Sequence, residues 1–574
     1  MAESLDQGDT VSDMELSEQP RARRTVTGTV DIAACNIILC GGALNYTALP
    51  VSTNQSNAMI PINGKPVIGR ILDDLLSKGI DCATVVVREH DVRTQTFLRR
   101  AYGTRMKLDI VRLREEGTIL QSIRAGLSRG PCDGLVRIIL GDTLIRDPFD
   151  SDEDFVYVGE VSDSRRWCVA FVESNGNIDD YADKQELSGA PYYALAGYYH
   201  LTHGGDLRMC VERSVANGER EISDVLRRYA AYHPLKARLV REWFDFGHID
   251  NLVEARRQLL QPRFFNTMTI NPVLNTITKV SHYTQKLHDE LNWYRDLPEE
   301  LKVLTPRIIS TAEVDGNLHI CQEFYGYPTL AELYTFGELG NDIWGSILRR
   351  VLGIHREFRR YSSQLDEAHL RSMYLDKTWQ RIDALREQDD WWRSLLSQEA
   401  VTFNGARLHN IYTMRSRLDA RGAEIAATAP ISIIHGDFCF SNILFDLPNQ
   451  IIRVIDPRGS FGRSGIYGDP RYDIAKLRHS VSELYDFIMA DMFDFTQHDQ
   501  GFTSQVYADG RRRVVAAEFD RLIVSAGYQL DEVKFIEGLL FVSMVPLHAG
   551  APQRQKLLYL TGLTLLNEVL PCES

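Results

Sequence analysis

One short stretch holds the residue types that phosphoryl transfer demands: HGDFCFSNILFD at 435–446, followed by VIDPRG at 454–459. Transfer from ATP needs a carboxylate that orients and deprotonates the acceptor hydroxyl. It also needs oxygen ligands for a Mg2+ that bridges the phosphates, and a cation against those phosphates. Asp437 meets the first need as the base, and Asn442 and Asp456 meet the second as metal ligands. Upstream, Lys279 sits inside TITKV and Glu290 on the next helical segment, the strand-lysine and helix-glutamate pair that holds the α- and β-phosphates. His435 reads as a prop for the loop and not as a participant.

Residues from about 265 to 570 resemble the aminoglycoside phosphotransferase and choline kinase family, relatives of the protein kinases. The pattern HGDxxxxN is complete and the later Asp stands in IDPRG. GDPRYDIA (468–475) matches a GDPxYDxA segment, and QEFYGYPTLAELY (322–334) resembles a hinge followed by the first C-lobe helix. The resemblance implies a bilobal, protein-kinase-like α+β domain with ATP as donor and Mg2+. One departure is that TINPVLNTITK has no glycine where protein kinases carry a glycine-rich loop.

Residues 36–260 resemble the sugar-phosphate and choline-phosphate nucleotidyltransferases. The matching pieces are IILCGG (37–42), IPINGKPVI (60–68), EEGTILQSI (115–123), LGD (140–142), DKQE (183–186), EISD (221–224) and WFDFGHIDNLVEA (243–255), in family order. On that resemblance Gly41 and Gly42 let backbone amides approach a phosphate or base, and Gly117 and Thr118 flank the base. Asp142 and Asp245 end two strands that converge on one Mg2+, and Lys184 contacts the acceptor phosphate. The sequence departs from the family at Leu44 and Tyr46, which replace a Gly and an Arg, and at Asn57, which replaces a Lys. Two cations that would stabilise the transition state are therefore missing. Lys65, in a turn, and Lys184 remain.

The elements that must position these residues follow from periodicity. From Asn36 the order strand, helix, strand repeats through NIILC, PVIGRILDDLLSKG, TVVV, LDIVRL, ILQSIRAGL and RIILGD. That rhythm predicts an α/β, doubly wound, Rossmann-like parallel sheet with helices on both faces. Ligands on such sheets sit beyond the carboxyl ends of strands, where Gly41-Gly42 and Asp142 fall. FVYVGEV, WCVAFVE and YALAGYYHL add strands. A Pro-containing break at 261–275 sets a boundary near 260, giving a disordered lead-in over 1–28, one domain over 30–260 and a second over 262–574, with its N-lobe at about 262–330 and its C-lobe at about 331–574. Beyond 330 the pattern is helical except for the two short strands around the HGD and IDP loops.

Composition bounds the class. With 44% hydrophobic and 25% charged residues in 574, the chain has material for more than one core. A net charge of −14 argues against nucleic acid as a partner. No run approaches the roughly 18 apolar residues of a membrane span. Nine scattered cysteines without a CxxC pair read as reduced thiols, and Trp391-Trp392 as packing. The expectation is a cytoplasmic enzyme, compatible with a homo-oligomer, acting on nucleotides and a small molecule. It phosphorylates a hydroxylated metabolite (an amino alcohol such as choline, or a sugar) with ATP. It then activates the product as a nucleotide diphosphate conjugate for surface-glycan synthesis, with CTP first among the second NTPs. The alternatives are a kinase with a degenerate transferase domain, and a non-catalytic scaffold in polysaccharide assembly.

Overall fold

The computed structural model describes residues 34–42, 56–114, 117–130, 132–189, 191–247, 251, 255–256, 258–259, 266–281, 284–337 and 339–571. The lead-in 1–28, Leu44 and Tyr46 lie outside the described residues.

In the first half, Cys35–Leu39 pairs in parallel with Cys82–Arg88 on one side and Val136–Leu140 on the other, and Lys107–Leu113 extends the row. The three inner strands of this row are largely apolar because both their faces are covered, whereas Lys107–Leu113 at the edge is mostly exposed or half-buried. Ile38 and Val85 join the core that includes Val67 and Ile68 of the helix Val67–Ser77. Ile37 and Val86 join the opposite core with Leu120 and Ile123 of the helix Ile119–Leu127. Alternation along the strand thus decides which helix each residue meets. The later strands add to it: Tyr192–Leu201 runs antiparallel to Val136–Leu140 and recruits Phe155–Val161 and Cys168–Val172, and Lys236–Leu239 and Ile178–Asp183 join these two to complete a nine-stranded sheet.

The free-thiol expectation needs one correction. Cys35 is disulfide-bonded to Cys132, with Cα atoms 5.6 Å apart. Cys35 opens its strand opposite Val136, so the segment leading into Val136–Leu140 carries Cys132 back past it. Cys40, Cys82, Cys168, Cys210, Cys321 and Cys439 are free.

The second half opens with a four-stranded antiparallel sheet in the order Asn266–Asn271, Thr276–Ser281, Asn317–Glu323, Ile308–Val314. The helix Thr284–Asp296 packs beside it and carries Glu290. Helices then dominate, as the pattern beyond 330 predicts, but two hairpins that it does not predict interrupt them. Ala400–Phe403 pairs with Ala406–His409, Phe493–His498 pairs with Gly501–Val506, and the two hairpins share one sheet. The first turn is Asn404-Gly405 with φ of +48° and +83°, the left-handed pair that a two-residue hairpin requires. Trp392 is buried against Tyr559, which bears out the packing reading of the tryptophan pair.

No sheet among the described residues joins strands from the two halves. They meet instead through side chains. Glu332 caps the helix Leu330–Phe336 with Thr329 and also accepts from Gly64 N at 2.8 Å and Arg256 Nη1 at 3.1 Å. Arg93 donates to Thr335 O, and Arg100 pairs with Asp494 while stacking on Tyr507. The Arg256–Glu332 pair is 8% and 2% exposed, so removing one partner strands a buried charge. Arg256→Ala is therefore expected to destabilise the intact chain by about 3–5 kcal/mol in denaturant titration, against less than about 1 kcal/mol for an exposed pair such as Arg393–Asp390.

Candidate active sites

The HGD loop is fixed from below. Gly436 has φ of +77°, and a Cβ there would lie 2.8 Å from Arg458 Cβ, so both backbone and space call for glycine. Asp473 accepts from His435 N at 2.7 Å and Gly436 N at 2.9 Å. Burial raises its pKa to about 7 even though those two amides oppose the rise. His435 is buried against Trp293 and Phe438, and burial pushes it down to about 4, which suits the expected prop.

Asp437, held on this loop, accepts from Asn442 Nδ2 at 3.0 Å and forms an ion pair with Lys476 Nζ at 2.9 Å. Asn442 also donates to Asp437 O, so its amide nitrogen faces Asp437 and its oxygen is the atom a cation would take. Asp456 sits at φ of +56°, in a conformation non-glycine residues seldom adopt and one typical of functional positions. Lys279 donates to Glu290 Oε1 at 2.8 Å and also pairs with Asp456. Burial works against its charge, yet Asp456 and Glu290 hold it protonated above the ordinary lysine range. A cleft of about 350 Å3 beside this trio is lined by Lys279, Gln322, Tyr325, Ser441 and Asp456, and on one rim by Asn63, Gly64 and Arg256 of the first half. Where a glycine-rich loop would stand there is a tight turn in which Asn271 Oδ1 accepts from Val273 N and Leu274 N.

The first half gathers its own carboxylates. Trp243–Asp245 pairs antiparallel with Thr143–Ile145 so that Asp245 lies opposite Thr143, next to Asp142. Phe246 N donates to Asp142 O at 2.9 Å. A Cβ placed on Gly247 would lie 3.1 Å from Asp245 Oδ1 and 3.3 Å from Asp142 Oδ2, so only glycine leaves the two carboxylates a shared space. Two carboxylates facing one small space form an all-oxygen donor set that suits Mg2+. Asn57, at the missing-lysine position, donates to Asp142 Oδ2 at 3.1 Å and through its backbone to Gly42 O. Gly41 lies against Ser122 of the helix that Thr118 caps in a reciprocal pair with Gln121; Gly117 precedes that cap. Lys65 is committed to Asp73, whereas Lys184 is exposed at φ of +50°. The cavity next to Asp245, about 340 Å3, is walled by Trp167 and Trp243 in edge-to-face contact.

Residues 35–262 match the nucleotidyl transferase family model, and residues 269–502 match that of the phosphotransferase enzyme family. The two matches lie one after the other along the chain, one on each half. Both are families of enzymes. The bifunctional protein GlmU of Methanocaldococcus jannaschii is 23% identical over 231 residues, covering 39% of this chain and 54% of that protein. The chain thus spans about half the length of that curated relative. Similar solved structures include a UDP-glucose pyrophosphorylase complexed with UDP-glucose (19% identity, 39% of this chain and 98% of that one, TM-score 0.35). Another is the CTP:phosphocholine cytidylyltransferase LicC of Streptococcus pneumoniae (13% identity, 40% and 100%, TM-score 0.33).

In the second half, the residues that the motifs do not point to are Asp473, which tethers the HGD loop, and Lys476, which pairs with Asp437. Both stand in GDPRYDIAK, one and two helical turns past Asp469, on the buried helix Pro470–Val481. No helix among the described residues is long and apolar enough to cross a membrane.

Proposed function

We propose that the chain phosphorylates a small hydroxylated metabolite with ATP and then transfers a nucleotidyl group from a second NTP onto the product. The observation that carries the first step is that Lys279, with Glu290 and Asp456, stands at a cleft whose Ile455 joins it to the Asp437, Asn442 and Lys476 group by donating its N–H to Asn442 O at 3.0 Å. Asp437 takes the proton of the acceptor hydroxyl as its oxygen attacks the γ-phosphorus, and ADP leaves. Lys279 holds the phosphates, and Lys476 keeps the base ionised and aimed. Mg2+ held by Asn442 and Asp456 would neutralise phosphate charge.

In the second step a monoester oxygen attacks the α-phosphorus of the NTP and pyrophosphate leaves. Gly41, Gly42, Gly117 and Thr118 border the nucleotide, Lys184 reaches the acceptor phosphate, and Mg2+ on Asp142 and Asp245 would bridge the two substrates. CTP is the first NTP to try, surface-glycan precursor synthesis is the setting this pairing of activities suits, and the cytoplasm supplies both NTPs. One observation favours a second reading, a kinase with a silent transferase domain. Asn57 occupies Asp142 where a cation would meet the triphosphate.

The division into units at 30–260 and 262–574 belongs to the same proposal. The piece 262–574 alone is expected to keep acceptor-dependent ADP release while melting below the intact chain, since Glu332 loses Arg256. Differential scanning calorimetry and a coupled ADP assay on that piece check both halves of the expectation. A piece without turnover, when the intact chain has it, would place part of the kinase site in the first half.

A further inference from the structure

Three basic residues near Asp437, namely Lys377, Arg381 and Arg458, form no ion pair with a described carboxylate. Lys377 and Arg381 stand one turn apart on the helix Lys377–Gln388, hence on one face. Arg381 is anchored by Ser543 O at 3.0 Å, and Arg458 by Tyr472 OH at 2.9 Å, with its Cβ packed on Gly436 next to the base. Neither arginine, nor Lys377, forms an ion pair with a described carboxylate, whereas Lys476 pairs with Asp437 and Lys279 with Glu290 and Asp456. Burial, then Arg458, Arg381 and Lys476, push Lys377 down to about 5, against the pull of Asp437. Arg381 is likewise lowered by burial and by Arg458.

Such a cluster is costly to hold together without an anion to neutralise it. None of the three residues lines the cleft beside Lys279 and Asp456. Arg381 and Arg458 are fixed instead by the C-lobe residues Ser543 and Tyr472, beyond the base. We propose that the acceptor of the phosphotransferase site carries an anionic group, a phosphate monoester or a carboxylate, seated on Lys377, Arg381 and Arg458 with its hydroxyl at Asp437. The proposal rests on the phosphotransferase reading and narrows it. An acceptor such as choline would bring an ammonium group against two guanidinium groups without an ion pair and the Lys377 amine, while a phosphorylated or acidic sugar would supply a charge for all three to meet.

The test uses the intact chain and reads one residue. Acetic anhydride labels neutral amines, so acetylation of Lys377 is followed by peptide mass spectrometry in chloride, inorganic phosphate and acetate at matched ionic strength. AMP-PNP with Mg2+ is present in one series and absent in another. An anion on the cluster protonates and covers Lys377, and labelling is expected to slow about tenfold or more. Stronger protection by phosphate assigns a phosphomonoester, and stronger protection by acetate assigns a carboxylate. Arg381→Met and Arg458→Met are expected to remove the protection and Arg381→Lys to keep it, with thermal melts confirming that each variant is folded. Labelling that neither anion slows while AMP-PNP binds would overturn the anionic acceptor and leave the kinase reading standing. Protection without any AMP-PNP binding would uphold the anion site and overturn the ATP reading.

Discussion

Asp437→Asn lowers acceptor-dependent ADP release by about 10²–10⁴-fold, the span typical of a lost general base. The substitution keeps the size of the side chain and a carbonyl oxygen for Asn442 and Lys476, but it cannot take a proton. Asp437 is half-exposed on a loop that Asp473 holds through backbone amides, so the fold does not depend on its carboxylate. The melting temperature should stay near wild type while turnover collapses. Lys476→Met should also slow the reaction, less severely, since the base remains while its ion-pair partner is gone. Its separate signature is an upward shift of the acidic limb of the pH–rate profile, because an unpaired Asp437 holds its proton to higher pH. Turnover within tenfold of wild type in Asp437→Asn would remove the base from Asp437.

Asp142→Asn or Asp245→Asn should eliminate pyrophosphate release without touching ADP release. The two carboxylates share the space that Gly247 leaves open, and an amide at either position removes one of the two charges facing it. The second-step rate in the wild type is itself expected to be low. Each charge-assisted contact to phosphate is worth about 1.5–3 kcal/mol, and the Arg and Lys positions of the family are filled by Tyr46 and Asn57. With Lys65 drawn to Asp73, Lys184 is the cation proposed to meet the acceptor phosphate. Lys184→Ala should therefore raise KM for the monoester and lower kcat together, a split measured by steady-state pyrophosphate assays. Pyrophosphate release that persists in Asp142→Asn would place the metal elsewhere.

Much of this arrangement is legible in the sequence because chemistry and periodicity agree there. HGDxxxxN and IDP sit on short apolar strands, and a motif that demands loop carboxylates next to strands finds them. The Lys279–Glu290 pair follows from a strand feeding a helix, and it forms. Three things were hidden for physical reasons. The Asn404-Gly405 hairpin carries its signal in two residues, overlooked inside a long helical context. The Cys35–Cys132 bond depends on strand register, which spacing in the chain does not reveal. The cation cluster draws Lys377, Arg458 and Lys476 from three separate segments, and only the packing of the helix Lys377–Gln388 beside the HGD loop makes them neighbours.

The measurement that decides between a two-step enzyme and its alternatives is 31P NMR of one reaction. It contains intact chain, Mg2+, ATP, a panel of phosphorylated and acidic sugars with their uncharged counterparts, and CTP, UTP or GTP. The expected result is a new phosphomonoester resonance that gives way to the coupled pair of a diphosphodiester, with pyrophosphate alongside. Asp437→Asn should show neither new species, and Asp142→Asn should stop at the monoester. A monoester that accumulates in the wild type with every NTP, and never becomes a diphosphodiester, would contradict the second step and leave a kinase with a silent transferase domain.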